Sequence, residues 1–115
     1  MDTLSIIEIE IADNQEDIMQ GLMFRNHLGP DQGMFFIFQE EEERIFWMKD
    51  TPLSLDIIFV NKDLKIIDIA RHTVPYSTEP IPSIHPARYV VEVNAGYCDF
   101  HGIENLDYVR YDVFK

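Results

Sequence analysis

The chain has 115 residues, of which 46% are hydrophobic and 26% are charged. This length and composition exclude a disordered chain and predict one domain, residues 1–115, built around a single core. Twenty-one acidic residues against nine basic ones give a net charge of −12 at pH 7, and such a charge would repel phosphate backbones and anionic lipid surfaces. We therefore expect neither a nucleic-acid partner nor a membrane partner.

Cysteine content and apolar runs bear on the compartment. Cys98 is the single cysteine, so no internal disulfide can form, and we interpret it as a small residue packed in the core. A reactive thiol would need a basic neighbour, and only His101 is near in sequence. No apolar run reaches membrane length and no signal peptide begins the sequence. We expect a cytoplasmic protein, unless an export segment precedes the sequence given.

The first predicted elements are a strand and a helix. Isoleucines alternate with glutamates up to Ile11, which predicts a strand over residues 4–11 with one wet face. Asp13 is expected to cap a short helix, with Glu16 completing a capping box, and the helix should run to about Phe24. Gly21 lies where the helix would approach another backbone closely.

A meander of four strands is predicted next. Its strands are Gly33 to Phe38, Arg44 to Lys49, Asp56 to Asn61 and Lys65 to Arg71. The acidic run Glu40 to Glu43 is interpreted as the solvated tip of a hairpin that blocks edge pairing.

The last part of the chain begins with a long loop. Residues 72–86 hold four of the six prolines, and a loop of this length in a compact domain is typical of a lid, a binding loop or an edge cover. A strand from Arg88 to Asn94, a helical turn from Tyr97 to His101 and a final strand from Tyr108 to Phe114 are predicted after it.

These elements predict a mainly β fold. Their order is β-α-β-β-β-β-β-β, with seven strands and one clear helix. Because the Phe35 to Phe38 segment is apolar on both faces, we predict a curved antiparallel sheet or a small barrel, with the helix closing an open end or side.

Five sequence segments together resemble a known family. They are Gly21-Leu22-Met23-Phe24-Arg25, Gly33-Met34-Phe35-Phe36-Ile37-Phe38, Phe46-Trp47-Met48-Lys49 with Thr51, Leu55-Asp56-Ile57-Ile58-Phe59, and Glu92-Val93-Asn94-Ala95-Gly96. As a set they resemble the domain-of-unknown-function 192 family (DUF192) of small bacterial and archaeal proteins. The resemblance implies a compact single domain, often behind an export signal, with no established activity. Asp50, Ser54 and the stretch 105–107 depart from the family pattern and affect local loop shape.

Polar residues embedded in apolar sequence form the first candidate site. They are Arg25, Lys49, Asp50, Asp56, Glu92 and Asn94. A buried charge must be paired, so one interpretation is a structural ion pair of Arg25 with Asp56 or Glu92. The other is that these three side chains line a cleft, where they bind a polar ligand or move protons.

Soft ligands and aromatic residues offer two further candidates. Met23, Met34 and Met48 near Trp47, together with His72 or His85, could bind Cu(I). Methionine is also a common core residue, however, and no Met-X-X-Met spacing is present. Trp47 with Tyr76 could form a stacking wall for a small ligand, although a lone tryptophan in an apolar run is more often a core residue. No zinc spacing, nucleophile elbow or phosphate loop occurs. We predict no metal and no cofactor.

The leading functional hypothesis is a non-enzymatic module that binds a small ligand or a partner protein. Its binding residues are expected near the mouth of a cleft covered by the 72–86 loop. They are Arg25, Trp47, Lys49, Asp56, Glu92 and Asn94. One alternative is a small enzyme that uses Asp56 or Glu92 as acid or base, with Arg25 holding an anionic group. Another is a purely structural or protein-interaction domain.

Overall fold

A computed structural model describes residues 4–112. Within them it has seven strands in two sheets and two short helices. The strands are β1 (Glu8–Ala12), β2 (Gln32–Glu42), β3 (Ile45–Phe46), β4 (Leu55–Val60), β5 (Ile66–Ala70), β6 (Ile81–Pro82) and β7 (Ala87–Asn94), and the helices are α1 (Gln15–Gln20) and α2 (Tyr97–His101). The predicted mainly β class with a curved sheet is confirmed, and the sheet is open rather than closed into a barrel.

The main sheet has the strand order β1-β2-β7-β4-β5. Strand β7 lies at its centre and is antiparallel to both β2 and β4. Strand β1 is parallel to β2, because α1 lies between them and a helical crossover returns the chain in the same direction. The sheet is therefore mixed at one edge and not antiparallel throughout.

The predicted four-strand meander is wrong except for its last hairpin, in which β4 and β5 pair antiparallel. Strand β2 continues through the acidic run to Glu42 and pairs with β7, whereas β3 leaves the sheet and pairs with β6 in a two-stranded ribbon. The reason is burial on two faces: Phe35 and Phe36 are each 1% exposed and need a neighbouring strand that is apolar on both sides. Val90 and Val91 of β7, which lie opposite Phe36 and Phe35, meet this need, while the charged ends of residues 44–49 do not.

The ends of two predicted elements also differ. The N-cap of α1 is Asn14, whose side chain accepts a hydrogen bond from the Asp17 amide at 2.9 Å, and not Asp13. The helix ends at Gln20 instead of Phe24, since Gly21 at φ 49° leaves helical geometry. The predicted strand from Tyr108 is replaced by a single antiparallel bridge between Tyr108 and Lys65, the residue before β5. Residues 113 and 114 of that prediction lie outside the described residues.

Each face of the main sheet carries its own apolar cluster. One cluster packs under α1 and the β3–β6 ribbon, and includes Leu22, Phe36 and Phe59. The other packs under α2 and the C-terminal segment and includes Cys98, which confirms its predicted core position. Burial raises the pKa of the Cys98 thiol to about 12. Neither helix in residues 4–112 has the length and apolar character needed to cross a membrane.

Thr73 fastens the start of the proline-rich loop to β4. Its hydroxyl accepts a hydrogen bond from the Leu55 amide at 2.9 Å and donates one to the Leu55 carbonyl at 3.0 Å. Thr73→Val would leave that buried amide without its acceptor, so we expect a loss of about 1–3 kcal/mol in the free energy of unfolding. Urea denaturation measures it, with the exposed Thr78→Val as control. Equal effects of the two substitutions would contradict this role.

Candidate functional site

A pocket of about 290 Å³ opens on the face of the sheet that carries α1. Three parts of the chain enclose it: α1 with the turn after it, strand β2, and the segment from Glu43 to Thr51. Its floor is Glu92, on the central strand β7. Because α1 is short and the ribbon β3–β6 stands apart from the main sheet, a gap remains between them above that strand.

Glu92 is a buried carboxyl group without a partner among the described residues. It stands in a cross-strand row between Met34 and Ile57 and is 5% exposed. The only fully enclosed side-chain polar atom without a hydrogen bond in residues 4–112 is the Tyr97 hydroxyl, so the unpaired Glu92 carboxyl is not sealed and reaches the pocket. Burial raises the pKa of Glu92 to about 8 from its ordinary 4.5.

Gly21 lets the chain after α1 approach this carboxyl. It adopts φ 49° and ψ −128°, a conformation that residues with a Cβ rarely adopt. A Cβ at this position would lie 3.5 Å from Phe36 Cζ and 3.7 Å from Glu92 Oε1. The close approach to another backbone expected of Gly21 is not found, because its nearest neighbours are the side chains of Phe36 and Glu92 at ordinary contact distances.

Gly21→Ala is predicted to destabilise the protein by about 1–3 kcal/mol, because the backbone must hold a strained conformation. Denaturant unfolding is the measurement, and the exposed neighbour Gln20→Ala is the control, with an expected effect within about 0.5 kcal/mol. A Gly21→Ala protein as stable as the wild type would show that the backbone at this point relaxes freely.

Aromatic rings form the walls of the pocket. Phe36 and Phe46 meet edge to face at 5.3 Å between ring centroids, and Phe38 also contributes to the lining. Trp47 lies at the rim and is 46% exposed, so it is not the enclosed core residue that lone tryptophans usually are. The Lys49 ammonium lies 5.2 Å from the Trp47 ring centroid. Trp47 and Lys49 therefore adjoin the same opening as Glu92.

Arg44 is the basic residue that lines the pocket, and its guanidinium group is fully engaged. It lies 3.8 Å from the Phe38 ring centroid, donates to the Ala87 carbonyl at 3.1 Å and forms an ion pair with Glu42 at 3.0 Å. It also donates to the Glu40 carbonyl. Arg44 thus anchors the acidic end of β2 and does not neutralise Glu92.

Asp56 lies on the opposite face of the sheet from Glu92. In the β4–β7 register Asp56 pairs with Val93 and Ile57 pairs with Glu92, and side chains one residue apart on a strand point to opposite faces. The Asp56 carboxylate accepts hydrogen bonds from the backbone amides of His72 and Cys98, both at 3.0 Å. Its predicted place in a common cleft with Glu92 is therefore wrong.

The expected ion pair of Arg25 with Asp56 or Glu92 is also wrong, because Arg25 pairs with Glu10 on the edge strand β1. The turn after α1 directs it to that strand. Asn94 holds another turn, since its amide donates to the carbonyls of Leu28 at 2.8 Å and Gly29 at 3.1 Å.

The 72–86 loop does not cover the pocket, since none of its residues lines it. It runs beside the rim instead. There the Met48 amide donates to the Ser77 carbonyl at 2.9 Å, and the Tyr76 amide donates to the Thr51 carbonyl at 3.0 Å. Of the six residues predicted for the site, only Glu92 and Trp47 line the pocket, with Lys49 beside Trp47.

The methionines proposed for Cu(I) are distributed between core and pocket. Met34 and Met48 belong to the apolar core, at 5% and 1% exposure, and Met23 lines the pocket. In the part of the chain that the structure describes, no group of three or more His, Cys, Asp or Glu side chains is arranged to hold a metal ion.

Comparison with known proteins gives one family and two similar structures. The profile of the DUF192 family, described as an uncharacterized ACR, matches residues 1–111. A Sinorhizobium meliloti 1021 structure, described as a "putative transcription regulator", has 38% sequence identity and a TM-score of 0.87, with 89% of this chain and 79% of that chain covered. A protein of unknown function from Novosphingobium aromaticivorans DSM 12444 has 37% identity and a TM-score of 0.89, with 91% and 75% covered. No curated protein matches the chain.

Proposed function

The chain belongs to the DUF192 family, and we propose that it is a non-enzymatic binding module whose pocket takes a small organic ligand above Glu92. The observation that carries this proposal is the unpartnered Glu92 carboxyl, 5% exposed, at the floor of an open aromatic pocket. A buried polar group without a partner costs stability. A ligand that bonds to it would recover that cost.

The size and the walls of the pocket limit the kind of ligand that it can hold. Ligand sites commonly measure about 300–1,000 Å³, and about 290 Å³ is at the lower end of that range. Polar and apolar groups contribute about equally to the walls, and Trp47 at the rim offers an indole face. A compact molecule with an apolar body and one polar group directed at Glu92 fits this arrangement.

A direct role in nucleic-acid binding is not part of the proposal. The S. meliloti relative is described as a transcription regulator, yet the net charge of this chain is −12. Such a chain repels phosphate backbones and anionic lipid surfaces. If it takes part in regulation, ligand or protein binding would be its contribution.

Acid catalysis by Glu92 is the second candidate function. With a pKa raised to about 8 by burial, the carboxyl holds its proton at neutral pH and could donate it to a bound substrate. The predicted use of Asp56 as the acid or base and of Arg25 as the anion holder does not apply, because these side chains have other partners away from the pocket. Product formation that is lost in Glu92→Gln would favour this candidate over binding alone.

A ligand screen read at Trp47 tests the proposal. Because Trp47 is the single tryptophan, its indole N–H gives one assigned signal in ¹H–¹⁵N spectra. We expect a hit from a library of compact amines, sugars and aromatic acids to shift that signal and raise the melting temperature. A ligand present at 100 times its Kd stabilises the folded form by about 2.7 kcal/mol.

Two variants locate the bound ligand, and the rise in melting temperature is compared between them because Trp47→Leu removes the indole signal. Trp47→Leu is expected to weaken binding several-fold. Phe100→Leu, which changes an exposed ring away from the pocket, is expected to leave it unchanged. Hits that bind both variants equally well would place the binding site elsewhere and contradict the proposal.

A further inference from the structure

We propose that the group recognised at the floor of the pocket is an organic ammonium ion, so that the ligand is an amine with a compact apolar body. This inference rests on the proposed function and adds the chemical class of the ligand. Its basis is the lining that the described residues form: a buried carboxyl without a counter-charge, aromatic side chains in the same pocket, and Arg44 as the one basic side chain of the lining, which other groups engage.

The Glu92 carboxyl lacks a counter-charge in the described part of the chain. An ionised carboxylate in a buried site needs a positive partner, and Glu92 has no ion pair among the described residues. Arg44, the basic residue of the lining, is committed to Glu42, to Phe38 and to the Ala87 carbonyl. A ligand cation would therefore supply the charge that the chain itself does not place there.

The aromatic side chains of the pocket favour a cation. Ring faces attract cations through their quadrupoles, and tryptophan does so best. Trp47 already has the Lys49 ammonium 5.2 Å from its ring centroid, and Arg44 lies over Phe38 in the same way. The aromatic side chains that line the pocket with Glu92 thus suit an ammonium ion and would not favour an anion.

The negative charges around the pocket also favour a cationic ligand. Glu43 lines the pocket and is the end of the acidic run at the tip of β2. With a net charge of −12, the protein attracts cations to its surface and repels anions. An anionic ligand would meet both this field and the Glu92 carboxyl.

Binding of a cation is expected to release a proton. The free Glu92 carboxyl is protonated below a pH of about 8, and an ammonium ion beside it favours the ionised form. Affinity should therefore rise about tenfold per pH unit up to that pH and level off above it. The other charged groups near the pocket in residues 4–112 are Glu43 and the engaged Arg44, which line it, and the Lys49 ammonium over the Trp47 ring at the rim. The Arg25–Glu10 pair lies on the same face at β1.

Matched cation and neutral probes test the inference. Choline and 3,3-dimethylbutan-1-ol have the same shape and differ in one charge, and benzylammonium and benzyl alcohol form a second pair. We titrate each into the protein at pH 6, 7, 8 and 9 and follow the Trp47 indole signal. We expect at least one cation to bind about tenfold or more tightly than its neutral match at pH 8, as charge-assisted contacts do.

Glu92→Gln separates charge from shape. The amide keeps the size of the side chain and cannot ionise, so we expect the preference for the cation and its pH dependence to disappear. Glu43→Gln, at the rim, is expected to reduce the preference less. A Glu92→Gln protein that still prefers the cation with the same pH profile would overturn the inference.

The remaining outcomes distinguish the two proposals. Equal binding of the cation and its neutral match would overturn the ammonium assignment and leave the ligand-binding function standing. Failure of both cations at millimolar concentration would also overturn it, while the wider screen decides the function separately. If Nα-acetyl-lysine methylamide binds more tightly than benzylammonium, the cation comes from a protein side chain. The reverse order indicates a free amine, and both orders support the inference.

Discussion

Glu92→Gln is expected to stabilise the protein at pH 8.5 and to have little effect near pH 4.5. Burial raises the folded-state pKa of Glu92 to about 8 from an ordinary value of 4.5. Between these two pH values the unfolded chain has lost the Glu92 proton and the folded protein keeps it. Stability that depends on this group is therefore present at low pH and is lost as the pH rises from about 4.5 to about 8.

The size of this effect follows from the pKa difference. One pKa unit corresponds to about 1.4 kcal/mol, so the wild type should lose on the order of 5 kcal/mol from this group across that range. Glutamine resembles the protonated carboxyl in shape and charge. It should therefore match the wild type near pH 4.5, where Glu92 is neutral in the folded protein, and exceed it at pH 8.5.

Urea denaturation at pH 4.5, 6.5 and 8.5 measures this prediction as the difference between variant and wild type, so that other titrating groups cancel. Glu43→Gln is the matched control, because Glu43 lines the same pocket but is exposed. A constant difference between Glu92→Gln and wild type over the three pH values would contradict the assigned burial of an unpartnered carboxyl.

Asp56→Asn is expected to cost about 3 kcal/mol of unfolding free energy, since both carboxylate oxygens accept backbone hydrogen bonds worth about 1.5–3 kcal/mol each. Asp56 is 0% exposed and holds the amides of His72 and Cys98. An asparagine side chain would replace one of the two accepting oxygens with an NH₂ group, which would then face one of these backbone N–H donors. The Cys98 amide lies in the first turn of α2, so that helix should open more often.

Two measurements follow the Asp56→Asn effect. Denaturant unfolding gives the loss of stability, and the rate of reaction of Cys98 with a thiol reagent reports the opening of α2. The exposed Asp13→Asn is the control and should change neither. Because Asp56 faces away from the pocket, the Trp47 indole signal of Asp56→Asn should match that of the wild type. An unchanged thiol rate would contradict the capping role.

The strands of the main sheet could be predicted because their apolar content is local information. Residues 33–38, 56–61 and 88–94 all lie in or overlap observed strands. Their pairing could not be predicted in the same way. Strand β7 inserts between β2 and β4 because its largely apolar faces match theirs. A match between segments roughly thirty to sixty residues apart leaves no signal in either segment alone.

Part of the site was predictable because a charged residue in an apolar run is a local signal. A glutamate within the apolar run Val90 to Val93 is conspicuous in sequence, and Glu92 is indeed buried at the pocket floor. Asp56 in its own apolar run gives the same signal. Only the strand register separates the two, because it fixes which face each side chain meets.

Other features of the site depended on non-local contacts. The engagement of Arg44 with the Ala87 carbonyl joins distant residues and had no sequence signal. The pairing of Arg25 with Glu10 depends on where the turn after α1 is directed. Gly21, by contrast, had a local signal, because a glycine in a helical pattern indicates close approach or termination, and here it ends α1.

A titration of the Glu92 side-chain carboxyl carbon by ¹³C NMR tests the central claim most directly. The protein with ¹³C-labelled glutamate is followed from pH 4 to 10, and Glu92→Gln assigns the signal by its absence. The burial of an unpartnered carboxyl predicts a midpoint at about pH 8. A midpoint near the ordinary glutamate value of 4.5 would mean that Glu92 is solvated or paired, and would contradict both the binding function and the ammonium assignment built on it.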